Sequence, residues 1–226
     1  MRRRVPAAVV VPLLAALAAQ LALHRAAPPL LAAHAPLPPA PPPLLLRLAS
    51  LGDAPVAARL ALLYLHAYDT GLPLRELDYG RIVQWLDAAL ALDPHSRQPL
   101  LAATLVYGAV PDAARVRTMI GFVERAFAAD PAERWPAMAQ AALLARHRLH
   151  DMALARRCAQ AIRVRAPNAP AWARELEIFI LQDMNELDSA RAVTGALLES
   201  GTVTDPAEVR FLERRLKELE QAGAAR

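Results

Sequence analysis

Leu77-Asp78-Tyr79-Gly80-Arg81-Ile82-Val83-Gln84-Trp85-Leu86-Asp87-Ala88-Ala89-Leu90-Ala91-Leu92-Asp93-Pro94 is the stretch on which the fold turns. Ile82, Leu86, Ala89 and Leu90 recur at the three- and four-residue steps that line one face of an α-helix. Pro94 closes the run, because its ring fixes φ and removes the amide donor that the next helical turn needs. The ending recurs in Ala126-Phe127-Ala128-Ala129-Asp130-Pro131 and, more weakly, in Ile162-Arg163-Val164-Arg165-Ala166-Pro167. These prolines lie 37 and 36 residues apart, and Asp205-Pro206 follows 39 residues later. A period in the thirties marks an array of helical pairs, each too small to bury its apolar face alone.

The same periodicity extends outward. It places Val56, Leu60, Leu63 and Ala67 on one face over 54–69, and Val116, Met119, Ile120, Val123 and Phe127 over 114–128. Over 151–164 it selects Met152, Ala155, Ala159 and Ile162. Residues 171–183 and 187–200 form a further pair, ended by Gly201 at a C′ position. Asp205-Pro206-Ala207-Glu208 reads as an N-cap, a proline at the first helical position and a capping-box acid. The helix it opens carries Val209, Leu212, Leu216 and Leu219 on one side and charges on the other, the form of a terminal cap. Alanine, leucine and arginine dominate the composition and favour helix throughout, so the expected class is all-α.

The stretch 77–94 resembles the second helix of a tetratricopeptide repeat. Asp78-Tyr79 resembles that family's inter-helix turn, and Ala89, Leu90 and Pro94 its late small residue, apolar residue and terminating proline. Tyr107, thirteen residues after Pro94, stands where the family places an aromatic. The resemblance covers about residues 53 to 200 in three to four copies. It departs from the family in the first helices, where only Thr104 and Ala141 approach the expected small residue, and in insertions near 70–77, before Asp151 and before Leu187. It implies an α-α hairpin solenoid whose concave side, lined by first helices, binds a protein partner. The residues it places there are Gln98, Leu101 and Leu105, then Trp135, Met138 and Ala142, then Arg174 and Ile178.

The N-terminus differs in kind. Met1-Arg2-Arg3-Arg4 precedes nineteen uncharged residues, Val5 to Leu23. As a helix this run is about 29 Å long, enough for a hydrocarbon core of roughly 30 Å. The arginine bias predicts a cytoplasmic N-terminus and a periplasmic C-terminal domain, with residues 1–25 a signal anchor in the bacterial inner membrane. Ala16-Leu17-Ala18 also fits signal-peptidase cleavage. Residues 26–46 are crowded with proline and are expected to form an extended spacer of roughly 55 Å before a repeat domain at 47–226.

Charge and chemistry narrow the function. The net charge of +4 comes from Arg2, Arg3, Arg4 and Arg25; from Arg47 onward the 22 bases and 22 acids balance, which argues against nucleic acid. Seven arginines against Asp151 between 134 and 165 raise the alternative of a basic patch. One cysteine, Cys158, precludes an internal disulfide. No Gly-rich phosphate loop, His-Glu-x-x-His or Gly-x-Ser-x-Gly is present, so no catalytic residue, cofactor, metal or small-molecule substrate is expected. His147, His150 and Cys158 are the nearest approach to a metal-ligand set. The expected function is a membrane-anchored periplasmic adaptor that holds or assembles an envelope complex, similar in layout to the anchored tetratricopeptide proteins of c-type cytochrome maturation. The alternative is a holdase-like chaperone near the secretion channel, similar in layout to the translocon-associated periplasmic tetratricopeptide protein.

Overall fold

The computed structural model describes residues 14–20, 36–69 and 72–224, and among these every regular element is helical. Residues 14–20 form a helical segment within a unit, residues 1–36, that is separate from residues 37–226. The rest of the apolar run 5–23, and residues 26–35 of the proline segment, lie outside the described residues. No single helix among the described residues is long and apolar enough to cross a membrane.

Within residues 37–226 the helices are α1 (Pro43–Ala49), α2 (Ala54–Asp69), α3 (Tyr79–Leu92), α4 (Gln98–Leu101), α5 (Ala113–Ala129), α6 (Pro131–His147), α7 (Met152–Arg165), α8 (Ala171–Arg174), α9 (Leu176–Asp183), α10 (Leu187–Glu199) and α11 (Pro206–Ala224). A one-turn 3₁₀ segment, Leu74–Glu76, precedes α3. α4 runs on through a π turn, Ala102–Val106, and a 3₁₀ turn, Tyr107–Ala109. Packing follows the chain: α2 on α3, the α4 segment on α5, α5 on α6, α6 on α7, α7 on α9, α9 on α10 and α10 on α11. The second members of the first two pairs, α3 and α5, also meet.

Aspartates start these helices. Asp53, Asp78, Asp112, Asp130, Asp151 and Asp205 each accept a backbone N–H of the first turn, at distances from 2.8 to 3.2 Å. Each such cap contributes about 1 kcal/mol. Asp130 serves twice, ending α5 and capping α6, so Asp130-Pro131 opens a helix as well as closing one. Glu208 does not complete the capping box at Asp205; its carboxylate is taken by Arg174.

The apolar faces read from the sequence are buried in α3, α5 and α7, apart from the half-buried Met152, and Leu212 and Leu219 of α11 are buried too. In α2 the reading is reversed. Val56, Leu60, Leu63 and Ala67 are exposed, and Ala57, Ala58, Ala61, Leu62 and Leu65 face the core. Both faces of this helix are apolar, and the alanine-rich one lets α2 approach its neighbours closely, which dense packing rewards. The α6–α7 contact works in the same way, through the fully buried Ala139, Ala141, Ala142, Ala145, Ala155 and Ala159.

The proline segment is not a free spacer to residue 46. Leu37 is buried, the Trp85 indole N–H donates to the Pro38 carbonyl at 3.0 Å, and Pro43 already begins α1. A polyproline strand leaves its carbonyls unpaired, and the buried indole needs an acceptor.

Arginines tie successive pairs together. The buried Arg134 donates to the carbonyls of Ala126 (2.8 Å) and Pro94 (2.9 Å), and Arg165 donates to that of Ala128 (3.0 Å). Ala126 and Ala128 lie in the last turn of α5, whose carbonyls have no partner within the helix. Pro136, inside α6, has no N–H for the carbonyl of Ala132; the Asn168 amide supplies one at 2.9 Å.

Candidate functional site

The site begins with Tyr107. Its ring is fully buried, its hydroxyl donates to the Asp69 carboxylate at 2.6 Å, and its carbonyl accepts from the Tyr79 hydroxyl at 3.0 Å. These two bonds join the end of α2, the start of α3 and the end of the α4 segment. Burial, then the bond to Asp69, raises the Tyr107 phenol above its ordinary pKa, and burial pushes Tyr79 up to about 12. Both phenols therefore stay protonated and keep donating. Gly108 completes the junction: a Cβ there would stand 2.8 Å from the Leu144 Cδ1 and 3.0 Å from the Ala103 carbonyl oxygen, so a larger residue would force the Leu144 side chain and the segment's backbone to shift.

Above this anchor, α2 and the α4 segment enclose an open groove of about 440 Å³. Its apolar lining includes Leu62, Leu63, Leu101, Leu105 and Val106, and Arg59, His66 and Gln98 add polar groups. Leu63 is 64% exposed, Leu101 47% and Leu105 58%, so their side chains stand open to a partner. The π turn at 102–106 carries Leu105 and Val106 to the surface while Ala102, Ala103 and Thr104 on the same turn are buried. Such insertions re-aim side chains within a helix. The arrangement can receive one or two apolar side chains of another segment and offer donors to the backbone beside them.

The eight residues expected on one surface separate. Gln98, Leu101 and Leu105 share this groove. Trp135 is half-buried and packs edge-to-face on Trp172, with centroids 5.6 Å apart. Met138, Ala142, Arg174 and Ile178 are buried, and Met138 reaches only a separate pocket between α5 and α7. For Arg174 and Ile178 the reason lies in the fourth pair: its first helix breaks at Glu175 into α8 and α9, and α11 covers it. Arg174 donates to both carboxylate oxygens of Glu208, at 2.7 and 3.0 Å, and Ile178 joins Leu181, Leu197 and Leu212 in a second core.

The reading from sequence missed Arg59, Leu62, Leu63, His66 and Val106 as lining residues. The available signal was the second apolar face of α2; no residue pattern announces the π turn.

Part of the basic stretch is consumed internally. Arg163 and Arg156 lie 2.8 and 3.7 Å from the buried Glu177, Arg156 also meets Glu186 at 2.9 Å, and Arg146 pairs with Asp183. His147 and His150 are exposed and Cys158 is fully buried, and no group of three potential metal ligands exists among the described residues. Burial, then Glu124, pushes the Cys158 thiol up to about 12, so it is not a ready nucleophile. Set against protein-family models, curated proteins and solved structures, the chain matches none of them.

Proposed function

We propose that this protein is a membrane-tethered adaptor that binds another protein through the groove between α2 and the α4 segment. In this reading the helical pairs form a tetratricopeptide-like solenoid capped by α11. The apolar run 5–23 is the tether in the bacterial inner membrane, Arg2, Arg3 and Arg4 stay cytoplasmic, and residues 37–226 work in the periplasm. The observation that carries the reading is the groove itself: exposed leucines from two helices, 38 positions apart at Leu63 and Leu101, face one opening. Leucine side chains left in water on both walls, with donors beside them, suit an apolar anchor from a partner.

The test is a photo-crosslinking amino acid at Leu101 or Leu105 in living cells, with Val164, exposed elsewhere, as control. One discrete adduct from the groove positions, absent at 164, is expected. A ladder of many exported proteins would replace the adaptor with a holdase. Adducts at 164 alone would remove the groove from the function.

A further inference from the structure

The groove accounts for only part of the exposed apolar surface. On α1, Leu44, Leu45 and Leu48 are 68%, 55% and 65% exposed, and no residue of that helix is buried. Leu51, at the turn into α2, is 99% exposed. Its backbone is left-handed, φ 55°, and the Gly52 N–H reaches back to the Arg47 carbonyl at 2.7 Å. This is the helix-ending turn whose left-handed position glycine normally fills. Here a leucine holds it with Gly52 next in the chain. At 99% exposure that side chain is left in water by the described residues.

The charges around these leucines have one sign. Arg47 and Arg59 are exposed, and neither has an ion-pair partner among the described residues. The only acid between Met1 and Ala67 is Asp53, and its carboxylate caps α2 through the Val56 N–H at 3.0 Å. Only taken together do α1 and α2 have the length and apolar composition of a membrane span, and they are bent by 102°. A bent pair with exposed leucines and unpaired arginines suits the boundary between headgroups and acyl chains, where apolar side chains insert and cations meet phosphates. A second copy of the chain would bring Arg47 and Arg59 against their own like charges.

We infer that α1 and the turn at Leu51 dock onto an anionic bilayer surface, with Leu44, Leu45, Leu48 and Leu51 inserted and Arg47 and Arg59 at the lipid phosphates. The inference rests on the membrane tether proposed above. It adds that the domain lies against the bilayer instead of being held away by a proline spacer.

The test uses the full chain in vesicles, in a Cys158→Ala background, with an environment-sensitive fluorophore on a cysteine at position 14, 48 or 213. Position 14 reports the N-terminal run, 48 the docking helix, and 213 an exposed site on α11. In phosphatidylglycerol–phosphatidylethanolamine vesicles, the label at 48 should shift to the blue and lose about twofold or more intensity to doxyl-labelled lipid, while that at 213 is unchanged. Quenching at 48 should weaken in pure phosphatidylcholine, and with Arg47→Glu and Arg59→Glu combined. Quenching at 14 without quenching at 48 overturns the docking and leaves the tether standing. Quenching at neither overturns both. A blue shift at 48 that needs no lipid and grows with protein concentration places a second copy on this face and overturns the inference.

Discussion

Single residues decide whether a polar group belongs to a surface or to the fold. Arg174 has the composition of a binding residue, yet the structure gives it to Glu208, with both side chains under a tenth exposed. Removing one member of such a pair leaves a desolvated charge behind. Arg174→Met should therefore lower the unfolding free energy by about 3 kcal/mol. Arg174→Met combined with Glu208→Leu should lose less than the single change, by about 1 kcal/mol or more, since Glu208 is no longer left without its cation. Urea unfolding of Arg174→Met, of Glu208→Leu and of the double variant measures this. A double variant as weak as the sum of its parts would show that the pair is not coupled. Arg134 makes a similar point with carbonyls: its two bonds, to Ala126 and Pro94, link turns 32 residues apart in sequence.

Elements show which local rules held. The aspartate caps are readable because a cap is a matter of neighbours within three residues, and Gly201 takes its left-handed φ of 68° where the pattern put it. The turn after α1 breaks the rule with Leu51. Leu51→Gly should raise stability by about 1 kcal/mol, because glycine removes the Cβ clash of the left-handed backbone and the side chain has no contacts to lose at 99% exposure. Thermal or urea unfolding of the purified protein checks the sign. A loss of stability would mean that Leu51 packs on the fold. The π turn in the α4 segment is the contrasting case, since nothing in Ala102-Ala103-Thr104-Leu105-Val106 calls for an extra residue in the turn. It ends at Tyr107, which is pinned by Asp69 and Tyr79, 38 and 28 positions away.

At the scale of the whole molecule, stability depends on how carboxylates are housed. The Arg117 guanidinium, and then the Leu154 N–H, hold Asp151 below the usual carboxylate range. The unfolded chain therefore binds more protons there, and this contribution, present above about pH 4, is lost as pH falls through the lowered value. Glu175 has the opposite sign. Burial and then Glu208 raise its carboxyl above the usual range, against the pull of Arg174. The folded state then binds more protons, so stability declines as pH rises from about 4.3 through the raised value. Glu175→Gln removes that decline. Its urea midpoint should match the parent near pH 4 and exceed it at pH 7. An equal offset at both pH values would show that ionisation of Glu175 is not the cause.

The amino-acid sequence by itself determined the all-helical class, the positions of most helices, the cap at Asp205 and the buried faces of α3, α5 and α7. Those features arise from residues within one or two helical turns of each other, and a period of 3.6 is visible there. It also pointed to Gln98, Leu101 and Leu105. Only the tertiary structure decided which apolar face of α2 lies inside, because Val56, Leu60 and Leu63 compete on equal periodicity with Ala57, Ala61 and Leu65. It alone buried Arg174 and Ile178 beneath α11, and brought Pro38 to Trp85 across 47 residues. These choices depend on a partner surface far away in the chain, and periodicity along a single helix carries no information about that partner.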